Sequence, residues 1–287
     1  MPTVVEPLTG PAPSAAVSNG CFETMRVYDG RIFRLEAHLD RLYASAQFLG
    51  TRAPADRVRF GRQLTRALSR SGLKEAVVRV ALLPRPVRGR RSTRRRRLSH
   101  GARRGGAAHP SIVVQPVSLP SASAYREGIR IAVVPTRKFS VGSIDPQAKY
   151  SARLGSVMAV AEAQLRGAEE ALFMDALGSV TESTASNFGV VRRGLIQTPP
   201  CWLGLLAGIT RDVLFELAEG LRIPIAEVPL TRHDLYNADE AFLTSTIKEV
   251  LPVTWIDGRR IGTGSPGPVT RRLHQAFREL VRRAWSS

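Results

Sequence analysis

From residue 20 onward the apolar positions switch between two spacings. Residues 21–27 alternate in the manner of a half-buried strand, Asp29-Gly30 is a hairpin turn, and 31–34 reads as a returning strand. From Glu36 the period lengthens, and Leu39, Leu42, Tyr43, Ala46 and Leu49 recur at helical spacing. A second helix is expected over 54–71 and a buried strand over 76–83. Residues 1–19 show no period, are rich in Pro, Ala and Ser, and read as a loose arm. The apolar pattern vanishes over 84–109, strand character returns at 111–117, and 118–126 reads as an interdomain linker. Beyond it, strands are expected at 129–134, 170–174, 188–191, 239–244 and 250–255. Helices are expected from Lys149 to Leu165, from Gly208 to Leu221, and over 268–285. The mixture predicts an α+β protein of two lobes, a small α/β domain over 20–117 and a larger one over 127–287.

Composition narrows the class. In 287 residues, 43% hydrophobic content is enough for a sizeable core and argues against wholesale disorder. The sequence has no uncharged apolar run of the roughly 18 residues that a membrane-spanning helix needs. It shows no secretory pattern near residue 1. Two cysteines, Cys21 and Cys201, exclude a disulfide scaffold and a four-cysteine zinc site, which points to a reducing, cytoplasmic setting.

Charge changes the picture in one place only. The formal net charge is +18, and only four of the 42 basic residues are lysines (Lys74, Lys138, Lys149 and Lys248). Ten arginines and no acid fall between Arg85 and Arg104; without them the net charge would be +8. The basic signal therefore belongs to one segment. Mutual repulsion and the lack of an apolar face predict a disordered loop at 84–109. Other readings are an electrostatic contact with anionic substrate or nucleic acid, or an out-of-frame stretch that leaves an inactive relative. The segment has no aromatic residue for stacking on bases, so nucleic acid is not the expected partner.

Some residues suit chemistry without proving it. Leu206-Ala207-Gly208-Ile209-Thr210-Arg211 precedes a helix whose free amides could cradle a phosphate, although a plain helix cap reads the same way. Thr244-Ser245-Thr246 ends a strand with hydroxyls that could meet an anion. Lys149 would be an ordinary solvated charge if exposed, and a candidate imine-forming amine if desolvated. Glu182 follows a turn at Gly178 and could be an exposed turn carboxylate. The five histidines show no pair at zinc spacing, so no metal site is expected.

Taken together and in order, these segments resemble the class IV (fold type IV) pyridoxal-phosphate enzymes: branched-chain aminotransferases, D-amino-acid aminotransferases and aminodeoxychorismate lyases. The carriers are Gly20-Cys21-Phe22-Glu23-Thr24-Met25-Arg26-Val27-Tyr28-Asp29-Gly30, His38-Leu39-Asp40-Arg41-Leu42, Lys149, and Val180-Thr181-Glu182-Ser183-Thr184-Ala185-Ser186-Asn187-Phe188. Thr198-Pro199-Pro200, Gly208-Ile209-Thr210-Arg211 and the stretch 244–252 complete them. The resemblance implies pyridoxal 5′-phosphate as cofactor and Lys149 as its Schiff-base lysine and the proton-transferring base. It implies Glu182 against the pyridine nitrogen and Leu206 on a ring face. It further implies Arg41, Ile209, Thr210 and Thr246 on the phosphate, with Thr246 and Ile247 near the substrate carboxylate. It implies a homodimer.

Departures bear on the substrate. Leu154 and Val77 stand where branched-chain enzymes tend to have tyrosines, and Leu154 is more like the D-amino-acid enzymes and the lyases. The endings Glu249-Val250-Leu251-Pro252 and Ile256-Asp257-Gly258 look like those of transaminases. Gly189 stands where an aromatic residue is usual. The reading favoured is transamination between a branched-chain amino acid and a 2-oxo acid such as 2-oxoglutarate, with D-amino-acid transamination or aminodeoxychorismate cleavage as the alternative.

Overall fold

A computed structural model describes residues 20–83, 109–138 and 145–283. The N-terminal arm and nearly all of the arginine-rich segment lie outside the described residues.

Strand β1 (Cys21–Tyr28) turns through Asp29-Gly30 into β2 (Arg31–Ile32). Both turn residues have positive φ, 44° and 75°, the left-handed conformation that an Asp-Gly hairpin accommodates. Helices α1 (Leu35–Phe48) and α2 (Arg57–Ser71) follow. The α2 helix starts three residues later than the sequence pattern suggests, because the Asp56 side chain accepts a hydrogen bond from the Arg59 amide and so sets the N-cap there. Strands β3 (Ala76–Leu83) and β4 (His109–Pro116) complete an antiparallel sheet of order β2-β1-β3-β4. Its core gathers Met25, Leu39, Leu42, Phe60, Leu64, Val78 and Val80.

The span 118–126 is not wholly extended. Helix α3 (Ala122–Glu127) occupies its second half, started by the Ser121 hydroxyl capping Ala124 N–H. Then come β5 (Ile129–Val133), α4 (Leu154–Gln164), β6 (Glu170–Met174), β7 (Val180–Ser183), β8 (Asn187–Arg192) and β9 (Leu195–Thr198). The chain continues through α5 (Ile209–Gly220), β10 (Ile225–Glu227), α6 (Arg232–Tyr236), β11 (Glu240–Ser245), β12 (Glu249–Ile256), β13 (Arg259–Arg260) and α7 (Pro268–Arg283). These strands form a nine-stranded sheet of order β10-β9-β8-β11-β12-β5-β6-β7, with β13 on β12. Strand β7 also pairs with β8 through Glu182 and Asn187, so six strands close on themselves. The interior is filled by Ile131, Val133, Leu172, Val190, Leu243 and Val253 among others.

Two features join the sheets. Tyr28 and Phe33 pack on Val213, Phe277 and Val281 from α5 and α7. The free edge of β1 also binds the segment before α4. Phe22 N–H donates to the Lys149 carbonyl at 3.0 Å, and Ser151 N–H to the Gly20 carbonyl at 2.8 Å. Lys149 therefore does not head a helix, as its sequence setting suggested. It sits at the centre of a tight turn, closed by Tyr150 N–H donating to the Ala148 carbonyl at 3.0 Å and pinned to the small sheet, and α4 begins five residues later.

Candidate active site

All eight residues singled out from sequence (Arg41, Lys149, Glu182, Leu206, Ile209, Thr210, Thr246 and Ile247) line one cavity of about 400 Å³ between the two sheets. The hairpin of β7 and β8 supplies Glu182, the N-terminus of α5 supplies Ile209 and Thr210, and the β11–β12 turn supplies Thr246 and Ile247.

The Lys149 backbone is fixed by β1 and by its own N–H, which donates to Ser45 Oγ at 2.9 Å. Its amine lies 5.0 Å from the Phe22 ring centre. Burial, reinforced by the nearby charge of Arg41, pushes its pKa down to about 8. About a tenth of the amine is therefore unprotonated at pH 7, far more than for an ordinary lysine, as a nucleophilic or proton-accepting lysine requires.

Glu182 is buried in β7, not exposed in a turn. Lys138 ion-pairs with Oε1, while Oε2 accepts from Asn187 Nδ2 at 3.3 Å and Leu206 N–H at 3.1 Å. Asn187 Nδ2 also reaches the Leu206 carbonyl at 2.9 Å, tying Leu206 to the carboxylate. Gly208 is required beside this group, because a Cβ there would overlap Asn187 Oδ1.

Arg41 is aimed by Glu23. The carboxylate accepts from Arg41 Nε at 2.6 Å and from a terminal nitrogen at 3.0 Å, and the other terminal nitrogen donates to the Ala207 carbonyl at 2.7 Å. Burial opposes charge on Glu23, but Arg41 and a hydrogen bond from His38 outweigh it and hold the acid down at about 2. Burial keeps His38 below the usual imidazole range, so its contact with Glu23 at 2.8 Å is a hydrogen bond from a neutral ring. The guanidinium keeps further N–H donors for an anion in the cavity.

The side chains suit a phosphorylated pyridine aldehyde. An amine able to lose its proton faces the same space as an ionisable carboxylate, and an arginine and a helix N-terminus without a side-chain cap stand beside them. Two buried hydroxyls lining the cavity, Ser183 Oγ and Ser186 Oγ, have no hydrogen-bond partner among the described residues. Among the described residues, no group of three His, Cys, Asp or Glu side chains could hold a metal ion.

Sequence reasoning gave no role to Lys138, Glu23, His38, Asn187 or Arg153. One signal for Lys138 was available. Three of the four lysines, Lys138, Lys149 and Lys248, line this cavity in a chain that otherwise uses arginine. Glu23, His38 and Asn187 lay inside recognised motifs, but their pairing depends on β1 lying across α1. The Arg153 guanidinium, bonded to the Thr184 carbonyl at 2.6 Å, adds to the positive charge around Lys149.

Comparison with known proteins agrees with this geometry. The family model described as "Amino-transferase class IV" matches residues 20–256. A protein of Methanocaldococcus jannaschii named a putative branched-chain-amino-acid aminotransferase is 36% identical, over 93% of this chain and 88% of its own. A D-alanine aminotransferase of Listeria monocytogenes is 29% identical, over 93% and 88%. The crystal structure of the branched-chain amino acid aminotransferase from Thermobaculum terrenum, in its PLP-bound holo-form, superposes with a TM-score of 0.81 at 27% identity, covering 97% of this chain and 89% of that one.

Proposed function

The chain belongs to the class IV aminotransferases, enzymes that use pyridoxal 5′-phosphate, and from that premise we propose that it moves an amino group between a branched-chain amino acid and a 2-oxo acid such as 2-oxoglutarate. The observation that carries the reading is the convergence of Lys149, Glu182 and Arg41 on one cavity. When bound, the cofactor supplies an aldehyde for the amine and a ring that takes up the electron pair left when the substrate α-carbon loses its proton.

The rest of the work falls to the protein. Lys149 Nζ would hold the cofactor aldehyde and, as an amine that can lose its proton, would serve as the base that accepts and returns the substrate α-proton. Glu182, fixed by Lys138, Asn187 and the Leu206 amide, would be the carboxylate that keeps the cofactor's ring nitrogen protonated. Arg41, the amides of Ile209 and Thr210, and Thr246 would grip the phosphate. Leu206 would pack on the cofactor ring, and Thr246 and Ile247 would receive the substrate carboxylate.

Substrate preference is the finer part of the proposal. Similarity to branched-chain enzymes supports it, while Leu154 and the D-alanine aminotransferase relative favour D-amino acids as the second reading. A panel of both enantiomers of leucine, valine, alanine and glutamate, with aminodeoxychorismate and 2-oxoglutarate, separates them. L-leucine and L-valine should give the highest kcat/KM, and Lys149→Ala should abolish turnover. Preferred turnover of D-alanine, or pyruvate release from aminodeoxychorismate, would overturn the assignment.

A homodimer is part of the same proposal, supported by the exposed apolar side chains Leu154, Val157 and Met158 of α4. A cytoplasmic location is proposed because both cysteines are free thiols. Among the described residues no helix is long and apolar enough to cross a membrane.

A further inference from the structure

The β11–β12 turn reaches the cavity with Ser245, Thr246, Ile247 and Lys248, yet the residue that fastens it points the other way. Glu249 opens β12 with φ at 53°, a left-handed conformation uncommon for a residue with a side chain. Its carboxylate is buried outside the cavity lining and is bonded from two separate elements. From β1, Tyr28 O–H donates to Oε1 at 2.9 Å. From α7, Arg278 donates to the same oxygen at 2.9 Å and His274 Nε2 contacts Oε2 at 3.0 Å. Tyr125 of α3 stacks flat on His274, with 4.7 Å between ring centres, and its hydroxyl donates to the Lys248 carbonyl at 3.1 Å. Lys248 N–H donates to Ser245 Oγ at 3.2 Å, and its amine pairs with Glu170. The peptide between residues 248 and 249 is thus held on both sides.

We infer that Glu249 is a positioning residue, which fixes the Thr246–Ile247 segment in its anion-binding shape by clamping the turn to β1 and α7. A strained φ persists only where the surroundings over-determine it, and here three side-chain donors do so. The clamp also makes the anion grip depend on the small sheet, because Tyr28 belongs to β1. The inference rests on the proposed contact of Thr246 and Ile247 with cofactor phosphate and substrate carboxylate.

The test uses the holoenzyme and three variants. Glu249→Ala removes the acceptor, Glu249→Gln keeps an oxygen for Tyr28 and Arg278, and Tyr28→Phe removes one hydrogen bond with little risk to folding. The readouts are the cofactor dissociation rate, KM against kcat, and amide hydrogen exchange of residues 243–251. In Glu249→Ala we expect roughly tenfold or greater rises in cofactor dissociation and amino-acid KM, the scale that small misplacements of binding groups produce. Saturated kcat should change much less, and exchange should quicken in the turn. Tyr28→Phe should show the same pattern more weakly, and Glu249→Gln should restore most of it. Unchanged exchange and unchanged binding in both Glu249→Ala and Tyr28→Phe would overturn the clamp. Faster exchange with unchanged dissociation and KM would leave the clamp standing and overturn the ligand reading of the turn, and with it the positioning role.

Discussion

A half-buried lysine beside two arginines is held against its own preference. In the folded chain Lys149 gives up its proton near pH 8, whereas its ordinary value is 10.5. The unfolded chain therefore binds more protons between those two values, and stability rises with pH through that window. Below pH 8 the penalty is complete, on the order of 3 kcal/mol. Cofactor-free Lys149→Met should accordingly be more stable to urea than the cofactor-free parent at pH 7, and the gap should close by about pH 10.5. The same titration governs reactivity. Only the neutral amine attacks an aldehyde, so the rate of cofactor uptake should climb about tenfold per pH unit below pH 8 and flatten above it. A rate independent of pH from 6 to 9 would show that the amine is not desolvated in this way. At this scale the sequence was partly legible. Lys149 and Glu182 could be named from their motifs, but Lys138 could not, because its pairing with Glu182 spans 44 residues.

Elements show how a departure from the family pattern is absorbed. Gly189 lies in β8 where an aromatic residue is usual, and directly across the ladder stands Phe242 of β11. A Cβ at residue 189 would fall 2.6 Å from Phe242 Cζ, so the neighbouring strand's ring fills the space that a side chain at 189 would take. Gly189→Ala should therefore cost about 1–3 kcal/mol by overpacking. Combining it with Phe242→Ala should cost less than the two single changes summed, which a denaturation cycle measures. The element joining β1 to α1 makes a second prediction. Glu23 carries almost no exposed surface and balances Arg41. Glu23→Gln leaves a half-buried guanidinium without its counter-charge, at a cost on the order of 1–3 kcal/mol. It also lets the group that grips phosphate drift, so cofactor affinity should fall along with the melting temperature. Strand and helix types were largely readable from periodicity. Boundaries failed where tertiary contacts decided them, as at Lys149, which β1 holds in a tight turn ahead of the helix, and at Glu182, which ladder closure with β8 buries.

At the scale of the whole molecule, α4 turns its small residues inward and larger apolar ones outward. Its small residues Ala159 and Ala163 face the sheet, while Leu154, Val157 and Met158 are 66%, 58% and 51% exposed. Leu165, at its C-terminal end, falls on the same stripe and is 89% exposed. Apolar residues at this spacing form one continuous face, and a helix face of that kind turned outward marks a partner surface. A second copy is the occupant that fits the proposed homodimer, and the position of α4 gives the contact a consequence. The helix starts five residues after Lys149, and Arg153, its N-cap, lines the cavity together with Gly155 and Ser156. Burying the stripe would hold the first turn of α4, and hence one wall of the site, in place. Val157→Asp/Met158→Glu adds two charges to the face without touching the core on the opposite side. Light scattering should then report the mass of one chain instead of two, with stability of the large sheet little changed and turnover reduced by tenfold or more through a loosened site. A variant that stays dimeric and fully active would place the association surface elsewhere and leave the outward stripe of α4 without a role.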